Sequence, residues 1–266
     1  MNRSRLPKRI LGAAAAAWLA LVPAGVAAVA DFSAAHAFPA MRDINGKTLA
    51  DGDFSQWIEG GRLHVRIAYQ FTGGRRVEEQ AVLRSGPPLA QDEWSWRETQ
   101  GSKIIRQFSV NLVSGMATAE KLEDGEVGRW SEQLDVKKGQ TFSGFGFAMA
   151  IVDARARLIK GEKVELQAVG FTPGPRMVTV EIAHAGVDSL RMSGRTLRGD
   201  HFIIHPKIPW IATLFIKVPD TQIWLTNPLP AAFLRWEGPM AEPGDGVVRV
   251  DLLPGGESER ATPVTR

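Results

Sequence analysis

The chain has 266 residues, a formal net charge of +3 at pH 7, a single Tyr and no cysteine. Residues 1–37 carry four of the basic side chains and one acidic side chain, so the rest of the chain is formally neutral. A neutral chain lacks the basic surface that binds nucleic acid, and we expect no nucleic-acid partner. The absence of cysteine excludes disulfides, thiolate catalysis, cysteine-ligated zinc and a lipid-modified N-terminal cysteine.

The N-terminus has the layout of a secretory signal peptide. An uncharged stretch over 10–30 leads to small residues suited to cleavage at 28–30 and at 35–37. We prefer the second site, which makes 1–37 the signal peptide. An uncleaved membrane anchor is the alternative, because about 20 apolar residues cross a bilayer. We therefore expect a periplasmic or secreted protein that contacts a membrane only if this segment is retained. The basic residues before the uncharged stretch are Arg3, Arg5, Lys8 and Arg9.

Alternating apolar and polar residues dominate the remaining chain. The pattern is cleanest over 62–71, where every second residue from Leu63 to Phe71 is apolar, as in a half-buried strand. Similar stretches follow, with a hairpin tip expected at 123–125 and a turn at 186–188. The pattern predicts a single antiparallel β domain over 38–253. Residues 254–266 show no apolar period and are predicted to be a disordered tail.

One segment departs from the period of two. From Phe142 to Ile159 apolar residues recur at helical spacing, with Gly144-Phe145-Gly146 interpreted as a helix start and Gly161 suited to end the helix. Many strands with one helix predict a mainly β fold: a strongly curved antiparallel sheet or open half-barrel, with the helix packed on or in its concave face. An outer-membrane barrel is the competing architecture. The stretch from Trp210 to Val218, apolar on both faces, argues against it.

No pattern in the chain is a catalytic signature. His201 and His205 have a spacing that binds metal on a helix, but their neighbours predict a strand, where residues four apart lie about 13 Å apart. His184 is expected to face inward, and no Gly-x-Ser-x-Gly motif places a nucleophile beside it. We interpret the carboxylates, Glu79 among them, as lying on solvated faces and turns. We therefore expect no catalytic residue, no metal site and no cofactor.

Aromatic residues are frequent, with eight Trp and twelve Phe. One interpretation is that they simply fill the core. The other is an apolar groove between sheet and helix that holds an acyl chain, with arginine at its mouth for an anionic head group. On the second interpretation the candidate ligand-binding residues are Trp210, Trp224, Phe215, Phe145, Met149 and Arg235.

The signal peptide, the long alternating strands and the Trp210-to-Trp236 region together resemble a class of exported bacterial proteins of unknown function. The half-barrel sheets of that class are similar to the lipoprotein-carrier and lipid-binding periplasmic families. The resemblance covers roughly 41–253, is one of architecture, and brings no catalytic residue. It implies a periplasmic location and a hydrophobic ligand.

Three functions remain open. The first is a periplasmic binding or carrier protein for a lipid-like or other apolar ligand, acting without catalysis. The second is an envelope scaffold that pairs with another envelope protein through a sheet edge. The third is a glycan or lipid hydrolase. An internal cavity at Trp210 and Trp224 would favour the first, an uncovered edge strand the second, and a cluster of His and carboxylates in a cleft the third.

Overall fold

A computed structural model of the protein describes residues 34–192, 194–207, 218–228 and 232–252. Within these residues the chain forms sixteen strands and one α-helix, α1 (Gly146–Leu158). A short 3-10 turn lies between the fourth and fifth strands. The strands are β1 (Ala35–Ala37), β2 (Ala40–Asp43), β3 (Thr48–Glu59), β4 (Arg62–Phe71), β5 (Arg75–Arg84), β6 (Ala90–Gln100), β7 (Lys103–Asn111), β8 (Met116–Glu123), β9 (Glu126–Gln133), β10 (Thr141–Phe142), β11 (Val164–Phe171), β12 (Pro175–Met192), β13 (Arg195–Pro206), β14 (Thr221–Thr226), β15 (Phe233–Pro239) and β16 (Val247–Asp251).

All the described strands belong to one sheet. Its order is β10-β11-β12-β13-β14-β15-β16-β2-β3-β4-β5-β6-β7-β8-β9, with β1 added beside β3. Neighbouring strands are antiparallel except β10 and β11, which are parallel. Because β10 and β9 end the path without pairing with each other, the sheet is open. The predicted fold class, a mainly β open sheet with one helix, is confirmed.

Tight turns join many neighbouring strands. Between β3 and β4, Gly60 and Gly61 both have positive φ angles of 57° and 73°. Between β8 and β9, Asp124 and Gly125 have φ angles of 51° and 86°. Two consecutive left-handed residues give a hairpin turn that matches the twist of the flanking strands. The predicted hairpin tip at 123–125 is confirmed, and β4 spans the predicted strand over 62–71.

The turn predicted at 186–188 is wrong. Residues Pro175–Met192 form one long strand, β12, and its register with β13 shifts between His184 and Gly186. Such a β-bulge admits an extra residue without ending the strand, and the φ of +126° at Gly186 is one that glycine adopts readily. A bulge interrupts the alternation in the same way that a turn does. The chain reverses direction later, near Gly194.

Helix α1 begins at Gly146, within the start predicted at 144–146, although the helical spacing of apolar residues extends back to Phe142. Thr141–Phe142 form the short strand β10, and Gly144 has a φ of +50°, which is incompatible with a right-handed helix. The first six residues of the helix, 146–151, are all buried, so its first turns have no polar face. The apolar spacing therefore extended past the true start of the helix, because spacing does not register a left-handed residue.

The sheet curves around helix α1. At the N-terminal end of the helix, the Phe145 backbone N–H donates to Glu79 of β5 at 2.6 Å. Toward its C-terminal end, Arg155 Nε donates to Asp200 of β13 at 2.8 Å. Six strands lie between β13 and β5 in the sheet order. Both distant parts of the sheet reach the same short helix, so the helix lies on the concave side.

Aromatic stacking across the concave side joins strands that are far apart in the sheet. Phe171 of β11 lies 4.7 Å from Phe108 of β7 and 5.7 Å from Trp94 of β6, measured between ring centroids. Offset stacking of this kind adds to the free energy gained from burying the rings. The main hydrophobic core is therefore enclosed by the curved sheet and the helix.

Several sequence predictions fall outside the described residues. These are most of the signal peptide, the tail over 254–266 and nearly all of the apolar stretch from Trp210 to Val218. In the described part of the chain, no helix has the length and apolar character needed to span a membrane.

Candidate functional site: an apolar cavity with one unpaired carboxyl group

The concave side of the sheet contains a cavity of about 380 Å³. Protein interiors have few voids larger than one water molecule, so a cavity of this volume is not an ordinary packing defect. Ligand pockets are typically about 300–1,000 Å³ and mainly apolar. The space is therefore of ligand size. Its wall includes the apolar side chains of Ile67, Phe145, Phe171, Val180, Ile223 and Trp236.

Two charged side chains line the cavity within the described part of the chain, and both are acidic: Glu79 and Glu242. Glu242 is neutralised, because its carboxylate lies 2.8 Å from Arg106 and 3.2 Å from Lys121. Glu79 makes no ion pair with any described residue. The cavity therefore contains one carboxyl group without a counterion.

The position of Glu79 follows from the alternation of β5. Val77, Ala81 and Leu83 are buried, and Glu79 occupies the same inward face between Val77 and Ala81. The interpretation of Glu79 as a solvated carboxylate is wrong. The sequence contains the signal that identifies it: a glutamate at a core-facing position of an alternating strand, where an unpaired charge is costly.

Hydrogen bonds fix one oxygen of Glu79. Its Oε1 accepts from the Trp94 indole N–H at 2.8 Å and from the Phe145 N–H at 2.6 Å. Phe145 precedes helix α1, so the positive end of the helix dipole is at this carboxyl group. Burial raises the pKa of Glu79 above its ordinary value, although these two hydrogen bonds oppose the shift. The other oxygen, Oε2, accepts no hydrogen bond from any described residue.

Glycines at the start of the helix permit this close approach. A Cβ at Gly144 would overlap Glu79 Oε1 and Trp94 Nε1. A Cβ at Gly146 would overlap the amide group of Gln91, which accepts from the Ser143 N–H at 2.8 Å. The prediction that Gly144-Phe145-Gly146 is a helix start is confirmed, and the glycines give β5 and β6 access to it.

Tyr69 supplies a second polar group in the cavity. It lies on β4 opposite Val77, so Glu79 is two residues further along the neighbouring strand. The ring is buried and lines the cavity, and its hydroxyl makes no hydrogen bond to a described residue. Burial and the charge of nearby Glu79 raise the pKa of Tyr69. Tyr69 is therefore a neutral phenol that can donate and accept a hydrogen bond.

One end of the cavity is bounded by the loop over 240–246, which joins β15 to β16 and reaches across to β7. Arg106 of β7 holds this loop: its Nη1 lies 2.8 Å from Glu242 and 2.9 Å from Asp245. Its Nε also donates to Glu98 at 2.7 Å. Burial alone would lower the pKa of Arg106, but these hydrogen bonds raise it. We call Arg106, Glu98, Glu242 and Asp245 the ionic cluster.

The chain is similar to a bacterial lipoprotein structure. That structure is the hypothetical lipoprotein YmcC from Escherichia coli K12, with 10% sequence identity and a TM-score of 0.38, covering 84% of this chain and 86% of that chain. No protein-family model and no curated protein matches the chain. We therefore derive the function from the chain's own residues.

The structure places two of the predicted ligand-binding residues at or beside the cavity. Phe145 lines it, and Met149 is buried one turn further along helix α1 but is not part of the lining. Trp210 and Phe215 lie outside the described residues.

Trp224 and Arg235 lie away from the cavity. Ile223 and Leu225 of β14 face the main core, so Trp224 between them faces the other side of the sheet. There its indole N–H donates to Asp188 at 2.8 Å. Arg235 Nε donates to an aspartate of β16 at 2.6 Å, so its guanidinium is already paired. The alternation of β14 therefore places Ile223, and not Trp224, on the cavity face.

The histidines also lie outside the cavity lining. His201 and His205 are both on strand β13, as predicted, and each faces an aspartate: Asp188 at 3.2 Å and Asp220 at 2.7 Å. His184 packs against the core with its Nε2 3.7 Å from an Asp200 oxygen. Among the described residues, no group of three or more possible ligands is placed to hold a metal ion.

Proposed function

We propose that this protein binds or carries a lipid-like or other apolar small molecule, without catalysis, by burying it in the cavity on the concave side of the sheet. The observation that carries the proposal is the cavity itself: about 380 Å³, lined mainly by apolar side chains. Burial of apolar surface contributes about 25 cal/mol per Å², which suits an apolar ligand. The charged and uncharged segments at 1–30 support an exported, periplasmic or secreted location.

The test is uptake of the neutral fluorescent probe N-phenyl-1-naphthylamine, together with native mass spectrometry of the purified full chain. We expect enhanced probe fluorescence and a co-purifying apolar molecule. Two variants fill the cavity from the neighbouring strands β11 and β12, Ala168→Phe and Val178→Phe, since both residues line it. We expect each to weaken probe binding at least tenfold.

The matched control is Thr179→Phe, because Thr179 follows Val178 on β12 and is exposed. It adds the same side chain to the same strand and should leave probe binding unchanged. Far-UV circular dichroism checks that each variant folds. A wild-type protein that takes up no probe and carries no ligand overturns the proposal, as do filled variants that fold and bind like wild type.

An envelope scaffold is the second candidate, favoured by the edge strand β9, which is largely exposed. Edge pairing would add a partner strand there. Glu126, Arg129 and Glu132 lie on this strand, however, and charged side chains on an edge discourage strand addition. We therefore rank the binding function first.

A further inference from the structure

Two polar atoms of the cavity lack partners among the described residues. They are Glu79 Oε2, a hydrogen-bond acceptor when ionised, and the Tyr69 hydroxyl, which can donate or accept. Both residues line the cavity and lie on neighbouring strands. When an apolar ligand displaces water from the cavity, these two atoms lose their hydration, so a ligand group that hydrogen-bonds to both is favoured over one that leaves them unpaired.

An anionic head group does not fit this site. Within the described residues, no Lys or Arg lines the cavity, and the two charged groups that do are Glu79 and Glu242. A carboxylate or phosphate next to Glu79 would place like charges together in an apolar surrounding, which disfavours both. The arginine expected to bind such a head, Arg235, is paired elsewhere.

A cationic head group fits poorly as well. An ammonium ion would have to lose its hydration to enter, and a buried ion pair recovers that cost only with further hydrogen bonds. The titratable group that faces Glu79 from β4 is Tyr69, and β6 and helix α1 present only the Trp94 indole and the Phe145 backbone N–H. These neighbours suit an uncharged partner.

We infer that the cavity selects an uncharged apolar molecule bearing a hydroxyl group, which donates to Glu79 Oε2 and accepts from the Tyr69 hydroxyl. A hydroxyl group is both donor and acceptor, so it matches the two open groups together. This inference rests on the proposed apolar-ligand function and names the head group that the site prefers.

The experiment compares four dodecyl compounds as competitors of N-phenyl-1-naphthylamine on the full chain at neutral pH. They are 1-dodecanol, dodecyl methyl ether, dodecanoate and dodecylammonium, which share a chain and differ only in the head. We expect dodecanol to compete at least about tenfold better than the other three, the difference made by one hydrogen bond to a charged group.

Variants connect this preference to the two residues. Glu79→Gln keeps an oxygen for Trp94 and Phe145 but offers an N–H in place of Oε2, so we expect the preference for dodecanol over dodecanoate to shrink about tenfold. Tyr69→Phe should reduce the preference for dodecanol over the ether. The control is Glu78→Gln, because Glu78 is on the opposite face of β5, paired with Arg66.

The possible results separate the two proposals. If the probe binds but all four competitors are equal, or if dodecanoate or dodecylammonium is strongest, the hydroxyl preference is overturned and the apolar-ligand function stands. If neither the probe nor any competitor binds, the proposed function itself fails. An unchanged preference in both folded variants, Glu79→Gln and Tyr69→Phe, also overturns the assignment of these residues.

Discussion

At the scale of single residues, Gly144 makes the contact between β5 and helix α1 possible. Its φ of +50° is costly for other residues, and a Cβ would overlap Glu79 Oε1 and Trp94 Nε1. Gly60 has a similar φ of +57° but nothing near its missing Cβ. Substitutions at Gly60 and Gly144 therefore separate the cost of backbone strain from the cost of steric overlap.

We predict that Gly60→Ala lowers the free energy of unfolding by about 1 kcal/mol, the cost of the positive φ alone. Gly144→Ala should lower it by about 2 kcal/mol more, because the added methyl group displaces a hydrogen-bonded carboxyl group. Urea unfolding of both variants measures the two values. Equal losses for the two variants would contradict the packing seen around Gly144.

Glu79 predicts a pH dependence of stability. Burial raises its pKa in the folded protein above the ordinary value of 4.5. The folded state then binds more protons than the unfolded state between these two pKa values, so stability falls as pH rises through that window. Below about pH 4.5 Glu79 is protonated in both the folded and the unfolded protein, so the free energy of unfolding is not reduced by its charge. Glu79→Gln has no such group and lacks this decline.

The measurement is urea unfolding of wild type and Glu79→Gln from pH 4.5 to mildly alkaline pH. The difference in free energy of unfolding should shift in favour of the variant as pH increases. Glu78→Gln serves as control: hydrogen bonds from Arg66, Gln80 and Arg76 outweigh burial and lower the pKa of Glu78 to about 2, so its effect falls below this range. Parallel curves for wild type and Glu79→Gln would contradict a buried, raised-pKa carboxyl group.

At the scale of elements, the ionic cluster fixes the loop over 240–246 to the opposite part of the sheet. Arg106 is 13% exposed and Glu98 is 8% exposed, so their charges are poorly hydrated. Removing the arginine leaves the negative charges of Glu98, Glu242 and Asp245 close together with less positive charge to balance them. We predict that Arg106→Gln lowers the free energy of unfolding by about 3 kcal/mol, as for other buried ion pairs that lose one member.

Arg129→Gln is the matched control. Arg129 pairs with Glu120 at 3.0 Å between β9 and β8, but its side chain is 69% exposed. Exposed pairs contribute about 0–1 kcal/mol, so this variant should change stability little. Chemical denaturation of both variants provides the comparison, and a small effect at Arg106 would mean that the loop is held by apolar contacts alone.

The elements that the sequence predicts well are those with local signals. The alternation over 62–71 gives β4, and Asp124-Gly125 gives the tip of a hairpin. The turn wrongly predicted at 186–188 has a physical cause: a glycine interrupts the alternation both where a strand bulges and where the chain turns. Pairing with a neighbouring strand distinguishes the two cases: β12 stays paired with β13 on both sides of Gly186, so the chain bulges there.

At the scale of the whole molecule, the cavity could not be predicted, because it depends on contacts between residues far apart in the chain. The bond from Phe145 to Glu79 joins residues 66 positions apart. The sequence of β5 alone does not predict that the start of helix α1 contacts Glu79. The inward position of Glu79 was available from alternation, whereas its hydrogen-bond donors required the strand order that curves the sheet around helix α1.

Strand β1 bears on where the predicted signal peptide would be cleaved. Residues Ala35–Ala37 form β1, which pairs with β3, where Ala37 lies opposite Phe54. Ala37 is 6% exposed, and His36 Nε2 lies 3.0 Å from an oxygen of Asp53. Cleavage after Ala37, the site preferred from the sequence, would remove this strand. Cleavage after Ala30 would keep it.

We predict that the exported protein begins at Asp31, because the mature chain then retains the backbone hydrogen bonds of β1. Intact-mass analysis of protein taken from the export compartment identifies the first residue. As a control, recombinant chains that begin at Asp31 and at Phe38 are compared by urea unfolding, and the longer chain should be more stable by at least ~1 kcal/mol. A mature chain beginning at Phe38, with no loss of stability, would mean that β1 is dispensable, and a chain that keeps residues 1–30 would indicate a retained anchor.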